Sequence, residues 1–413
     1  NTVQTSSGQI LNWNGVAVGA SGVNFSSLQS TASVAGDAIN LTGVSGGTFN
    51  GGAVTVAGTS AGGDGIEINA SGATFNFASA TVSATAGNGI LLSGANGAVT
   101  FTTVTINNTA LAGIRIDNNT NAVNVNGGSI GATNDPTGVG VDINGGTGAV
   151  TIAASVAKTT AGNVVQVSGR TAGTVAFSGS LSATGSVANG IDVSGNSGTA
   201  VINFSGSKTL TTGANTAVNL ASNTGATVNF TGGGLAITTT SGTGFNATGG
   251  GTVTATGTGN TITSTTGTAL NVANTTIGAT GLTFQSISSN GAVNGIVLNN
   301  TGASGGLTVT GTGTTAGSGG TITNSTGDGI SLTSTQNVSL TNMNITNSQG
   351  NGILGNSVNG LVLNRDTVSG NGNSTSGNGE GNVYLFELTG DASHLTTFNN
   401  LTVSNAYVHN VFI

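Results

Sequence analysis

The first arrangement in this chain that could do chemistry is a carboxylate recurring at one place in a repeated motif. The motif is Gly-Asp/Asn-Gly/Ala followed by aliphatic-x-aliphatic. It reads Gly36-Asp37-Ala38-Ile39-Asn40-Leu41, then Gly63-Asp64-Gly65-Ile66-Glu67-Ile68. If successive motifs stack like neighbouring strands, Asp37 and Asp64 lie roughly 5 Å apart. Carboxylates at about that separation can hydrolyse a glycosidic bond or share a weakly held cation. The same position also holds Asn88, Asn163, Asn189, Asn294, Asp328 and Asn351. Mixed Asp and Asn in one column point to a structural ladder, with side-chain amides bonding along the stack at about 4.8 Å. The ladder is the expectation; a catalytic pair is not.

Other candidates are weaker. Gly62-Gly63-Asp64-Gly65 is superficially like the glycine-rich calcium nonapeptide, but the acid is offset and no nine-residue repeat follows. The two histidines, His394 and His409, lie near the end of the sequence, and the remaining acids are scattered singly. Thr-x-Thr runs (Thr238/Thr240, Thr252/Thr254/Thr256, Thr261/Thr263, Thr308/Thr310, Thr321/Thr323) could order water on a flat face. They are read as ordinary wet-face strand residues, because the runs do not keep one register over many coils. Trp13, Tyr384, Phe386 and Tyr407 could stack on sugars, but core filling or contact with adjoining segments is the expectation. No catalytic, cofactor-binding or metal-binding residue is assigned, and no cofactor.

These residues must be positioned by the repeat itself. The first aliphatic of each motif falls at Leu11, Ile39, Ile66, Ile90, Ile114, Val141, Val165, Ile191, Val218, Phe245, Leu270, Ile296, Ile330, Ile353 and Val383. Up to Ile296 the steps are 24 to 28 residues, a period near 26. Each period holds three short alternating runs, for example Ile66/Ile68, Phe75/Phe77 and Val82/Ala84, or Ile90/Leu92, Val99/Phe101 and Val104/Ile106. Alternation over about five residues means a strand with one buried face. Glycine and Asn between the runs suit corners that need φ > 0. A lone coil buries too little to offset its ordering entropy, so the coils must stack. The fold class expected is all-β: a right-handed parallel β-helix, a three-sheet solenoid of about 15 coils. One continuous body over 1–413 is expected, regular over 1–298 and more irregular over 299–413. A loop is expected within 299–320, another over 364–382, and the last residues, 405–413, open a further coil. Outward Arg115 and Asp142 should sit on adjacent coils.

Composition narrows the function classes. Charged residues make up 4% of the chain, with five Lys/Arg against 12 Asp/Glu, so no basic surface exists for nucleic acid. One proline excludes collagen-like structure, and the lack of cysteine excludes a disulfide framework. No apolar run of about 18 residues is present to cross a membrane as a helix. The start at Asn1, with no signal peptide, and the stop in mid-pattern suggest a processed protein, a segment of a longer chain, or a subunit of a polymer.

The Gly-Asn-Gly-Ile corners and three-run coils resemble the right-handed parallel β-helix family. Its members include pectate-lyase-like enzymes, autotransporter passengers and very long bacterial surface repeat proteins. The Asn-Thr-Asp, Asp-Asp, Gly-His-Gly and Arg-Ile-Lys motifs of its polygalacturonases do not occur here. The low charge and the Gly, Thr, Asn and Ala enrichment are most similar to the giant surface-adhesin branch. That resemblance implies a non-enzymatic structural or adhesive protein, extracellular or on a bacterial surface. Its implied partners are neighbouring β-helix segments, copies of itself end to end, or surface glycans. A polysaccharide-binding or polysaccharide-cleaving β-helix and a filament-forming subunit are the alternatives.

Overall fold

The computed structural model describes residues 1–372 and 380–413, and every regular element among them is a β-strand. Two compact units divide the chain, Asn1–Gly206 and Ser207–Ile413. Both are parallel β-solenoids, and together they contain about 16 turns of roughly 26 residues.

The turns build three walls, and some strands, such as Thr74–Ser83 and Ile330–Thr341, run through two of them. In the first unit the first wall runs from Leu11–Asn14 through Ile39–Thr42, Ile66–Asn69, Ile90–Ser93, Ile114–Asp117 and Val141–Asn144 to Gly162–Ser168 and Ala188–Ser194. The motif aliphatics pair in register at every step: Leu11 with Ile39, then Ile66, Ile90, Ile114, Val141, Val165 and Ile191. In the second unit Val218, Phe245, Leu270, Ile296, Ile330, Ile353 and Val383 align in the same way. His409–Phe412 continues this wall by pairing Val411 with Val383, so the last residues do open a further turn.

Alternation places the aliphatics inside. Ile66, Ile68, Phe75, Ile90, Leu92, Val99 and Phe101 are fully buried, and each such side chain stabilises by roughly 1.5–3 kcal/mol. Phenylalanines on the second wall stack through the core: Phe77 on Phe101 at 4.8 Å and Phe177 on Phe204 at 5.2 Å between ring centroids. In the third run of the Ile66 coil the inward pair is Ala80 and Val82 rather than Val82 and Ala84. Ala84 stands exposed with φ 51°, outside the strand Thr74–Ser83.

Of the motif glycines, Gly36 takes the left-handed φ expected, at 71°, but others have a different cause. Gly65 and Gly89 do not take left-handed φ. A Cβ on Gly65 would lie 2.5 Å from the Gly89 carbonyl oxygen, and one on Gly89 would lie 2.6 Å from that of Gly113. The coils approach too closely there for any side chain. As expected, left-handed φ recurs at strand ends on both glycine and Asn, as at Gly43, Gly94, Asn108, Asn274 and Asn324.

The long step after Ile296 is taken up at residues 310–319, between Leu307–Val309 on the second wall and Gly320–Thr323 on the third. The loop expected over 364–382 is shorter, because Thr367–Ser369 is a third-wall strand paired with the strand Met343–Thr346. Gly381 already belongs to the next first-wall strand, and residues 373–379 lie outside the described residues.

Candidate functional site

The Asp/Asn column forms a ladder, but its bonds differ from those expected. At six positions the side-chain oxygen accepts from the backbone N–H of the next coil. Asp37 Oδ1 accepts from Asp64 N at 2.9 Å, Asp64 Oδ1 from Asn88 N at 2.5 Å, and Asn88 Oδ1 from Ala112 N at 3.1 Å. The second unit repeats the arrangement. Asn294 Oδ1 accepts from Asp328 N, Asp328 Oδ1 from Asn351 N and Asn351 Oδ1 from Gly381 N, at 2.8–2.9 Å. An amide donor adds to the ladder where Asn follows Asp: Asn88 Nδ2 reaches Asp64 and Asn351 Nδ2 reaches Asp328. Asn163 departs from the pattern and turns its amide to Gln166.

Asp37 and Asp64 are therefore adjacent, as the repeat implied, and the fold adds a third acid. Glu67 follows Asp64 by three residues and projects outward from the first wall. One ligand oxygen from each of the three lies within 4.8 Å of the others. Asn40 Nδ2 donates to both Asp37 Oδ2 at 3.1 Å and Glu67 Oε2 at 3.0 Å. Burial pushes the Glu67 carboxyl up to about 7, with the charge and hydrogen bond of Asp37 and the charge of Asp64 adding to it. Asp64 is also raised by burial, against the opposing hydrogen bonds from Asn88. Three oxygens from two coils could hold a hard cation. Asp37 and Asp64 nevertheless each have an oxygen engaged in the ladder.

Arg115 and Asp142 pair across coils as expected, but the contact is long, 3.7 Å. The shorter bond, 2.7 Å, joins Arg115 to Asp117 two residues along its own strand. Other basic residues lie where a sequence reading does not look for them, inside. Lys158 is fully buried; its ammonium donates to the carbonyls of Pro136 and Gly138 and to Thr160 Oγ1, and pairs with Asp135 at 3.3 Å. Burial would raise Asp135, but hydrogen bonds from Thr160 and Thr159 outweigh it and hold the carboxyl well below the usual range. Arg170 is equally buried and donates to the Gly145 and Gly148 carbonyls. Lys208 donates to the Thr231 carbonyl, and burial lowers it to about 8. These cations satisfy corner carbonyls, a task that needs a long donor where the backbone turns.

Part of the threonine pattern does keep one register, but for at most three coils before Ser288 or Asn344 interrupts it. On the third wall of the second unit, Thr211, Thr238, Thr263 and Ser288 pair in succession, as do Thr321, Asn344, Thr367 and Thr402. Strand pairing, visible only in the fold, was needed to find this column. Of the aromatics, Trp13 packs inward on Phe49 at 5.4 Å. Tyr384 and Phe386 alternate outward with buried Val383 and Leu385, and Tyr384 stacks on Phe412 at 4.6 Å. Among the described residues no helix is long and apolar enough to cross a membrane. Comparison with protein-family models, curated proteins and solved structures finds no match to this chain.

Proposed function

We propose that the chain is a non-enzymatic structural element of an adhesive or fibrous protein, carried on the surface of a bacterium or outside it, and that its coils serve as a stiff spacer. One observation carries this reading: the best-placed chemical groups, the motif carboxylates, are bonded to the backbone of the next coil. An acid so engaged fixes the stacking step and is poorly placed to exchange protons with a substrate. Eight first-wall strands in register in each unit, each layer adding about 4.8 Å, suit a spacer that resists extension.

The test has two arms. Purified chain is incubated with acidic and neutral polysaccharides, and separately stretched in a single-molecule force instrument. No cleavage, with unfolding in successive high-force steps, is expected. Glycan cleavage that disappears in Asp37→Asn/Asp64→Asn would overturn the reading. Antibody labelling of intact source cells, with and without protease shaving, tests the location.

Glycan binding is a second reading, favoured by the outward cluster of Tyr384, Phe386 and Phe412. Phe386 is 44% exposed, unlike the inward phenylalanines of the core. Binding on a glycan array that falls in Phe386→Ala supports it; an unaltered array profile removes it.

A further inference from the structure

The corners between the second and third walls of the second unit differ in length from coil to coil. Residues 256–260 join the strand Thr252–Ala255 to Thr261–Ser264. On the next coil Gln285 alone joins Thr276–Phe284 to Ser286–Asn290. One coil further the corner runs through residues 310–319. A short corner stacked between two longer ones leaves a cleft, with Gln285 as its floor and the longer corners as its rims. The rims lie two layers apart, about 9.6 Å. The cleft has a volume of about 380 Å³, and none of the residues lining it is charged or aromatic. Thr258, Thr283, Thr312 and Gln285 supply hydroxyls and an amide to the lining. Gln285 Nε2 donates to Thr312 Oγ1 at 3.0 Å and so ties floor to rim. Gly259 and Gly313 stand in the two rims at left-handed φ, 72° and 55°, and a Cβ on either would meet nothing within 4 Å. Bare backbone therefore keeps the cleft open at both sides.

We infer that this cleft binds a short stretch of neutral oligosaccharide. An anion would need a cation in the lining, a cation would need a carboxylate, and an apolar ligand would need large apolar side chains; the lining holds none of these. Hydroxyls and a primary amide each donate and accept, which matches a ligand carrying many neutral hydroxyls. The longer rim is also fixed in advance. Ser318 Oγ accepts from Thr312 N at 2.8 Å and donates to the Thr315 carbonyl at 2.6 Å. The Gly313 carbonyl accepts from Asn342 Nδ2 at 3.0 Å and from Arg365 Nη2 at 3.4 Å, both on later coils. A site ordered before its ligand arrives loses less freedom on binding. A spacer needs no such rim, since Asn342 alone turns the corner between Ile330–Thr341 and Met343–Thr346. The cleft is separate from the Tyr384, Phe386 and Phe412 cluster, which lies on the first wall, and the inference does not rest on that cluster.

Saturation-transfer NMR on the full chain tests it, with xylotriose, maltotriose, cellotriose and N-acetylated chitotriose as neutral probes. Trigalacturonate serves as an acidic sugar and N-acetyl-triglycine amide as an uncharged peptide. The proteins are wild type, Gln285→Ala, Thr283→Leu and Phe386→Ala, each checked for an unchanged thermal midpoint. Thr283 alternates outward between the buried Leu282 and Phe284, so Thr283→Leu trades a hydroxyl for a bulkier branch without entering the core. At least one neutral trisaccharide is expected to bind the wild type, and to bind Phe386→Ala equally. Affinity should fall about tenfold in Gln285→Ala, and Thr283→Leu should weaken it as well. No binding of any neutral probe overturns the inference. So does binding that survives both cleft variants, or that is lost only in Phe386→Ala, because the sugar then sits elsewhere. Equal or tighter binding of trigalacturonate or of the peptide overturns the ligand class.

Discussion

The same corner is built twice from different residues. In the first unit the ladder reads Asp37, Asp64, Asn88 with Glu67 beside it; in the second it reads Asn294, Asp328, Asn351 with Ser331 in the equivalent outward place. Ladder geometry is almost unchanged, with oxygen to N–H distances of 2.5–3.1 Å in one and 2.8–2.9 Å in the other. What stacking requires is therefore an acceptor oxygen aimed at the next coil. A charge is not required, and neighbouring charges carry a penalty. Burial raises both Asp64 and Asp328; Asp64 has Asp37 in the ladder one coil away, whereas the ladder positions next to Asp328 carry Asn and the acid that raises it is Glu380, outside the ladder.

If the two corners differ only in charge, the core beneath them should respond alike. Ile66→Ala and Ile330→Ala each remove a fully buried side chain and should each cost about 2–5 kcal/mol in urea unfolding. Unequal losses would mean the units are packed differently. Gly65→Ala and Gly329→Ala come next. A Cβ would lie 2.5 Å from the next carbonyl oxygen at Gly65 and 2.7 Å at Gly329, so each should cost about 1–3 kcal/mol.

Swaps at the ladder separate oxygen from charge. Asp328→Ala leaves the Asn351 N–H without its acceptor and should cost about 1–3 kcal/mol, while Asp328→Asn keeps the oxygen and should stay within about 0.5 kcal/mol. Asp64→Asn should gain stability at neutral pH, since it removes a carboxylate that burial disfavours. A loss in Asp64→Asn as large as in Asp328→Ala would show that the charge itself holds the coils together.

The pH dependence follows from the directions of the shifts. An acid raised in the folded state binds more protons folded than unfolded, so stability falls as pH rises. Glu67, raised from 4.5 to about 7, and Asp366, raised from 3.8 to about 6, both act in this sense. Stability should be lost from about pH 4 to pH 7, and Glu67→Gln should remove the upper part of that loss. Lys208, lowered from 10.5 to about 8, acts oppositely, and its contribution should grow as pH rises through that interval. Thermal midpoints across pH check both signs. A small effect is also expected at the half-buried Arg115, where Arg115→Ala should cost at most about 1 kcal/mol.

Much of this was legible in the sequence because the solenoid makes register a matter of counting. The motif aliphatics read at a period near 26 pair with one another within each unit, and Arg115 does face Asp142. What escaped has physical reasons. Lys158 and Arg170 were not singled out, since nothing local shows that a corner carbonyl needs a long buried donor. Gly65 looked like a turn residue because close approach of the next coil is a tertiary fact. Glu67 stood only as the residue between two motif aliphatics; its meeting with Asp37 depends on where the corner folds back. The threonine column was hidden by unequal coil lengths, which shift the runs in sequence while pairing keeps them aligned.

Native-state hydrogen exchange at the ladder amides tests most directly whether these acids and amides are bonded into the stack. The N–H groups of Asp64, Asn88 and Ala112 in one unit, and of Asp328, Asn351 and Gly381 in the other, should be protected as strongly as those of the adjoining first-wall strands. Exchange of these amides at the rate of exposed corners would contradict it, because the motif oxygens would then be free of the next coil and open to other chemistry.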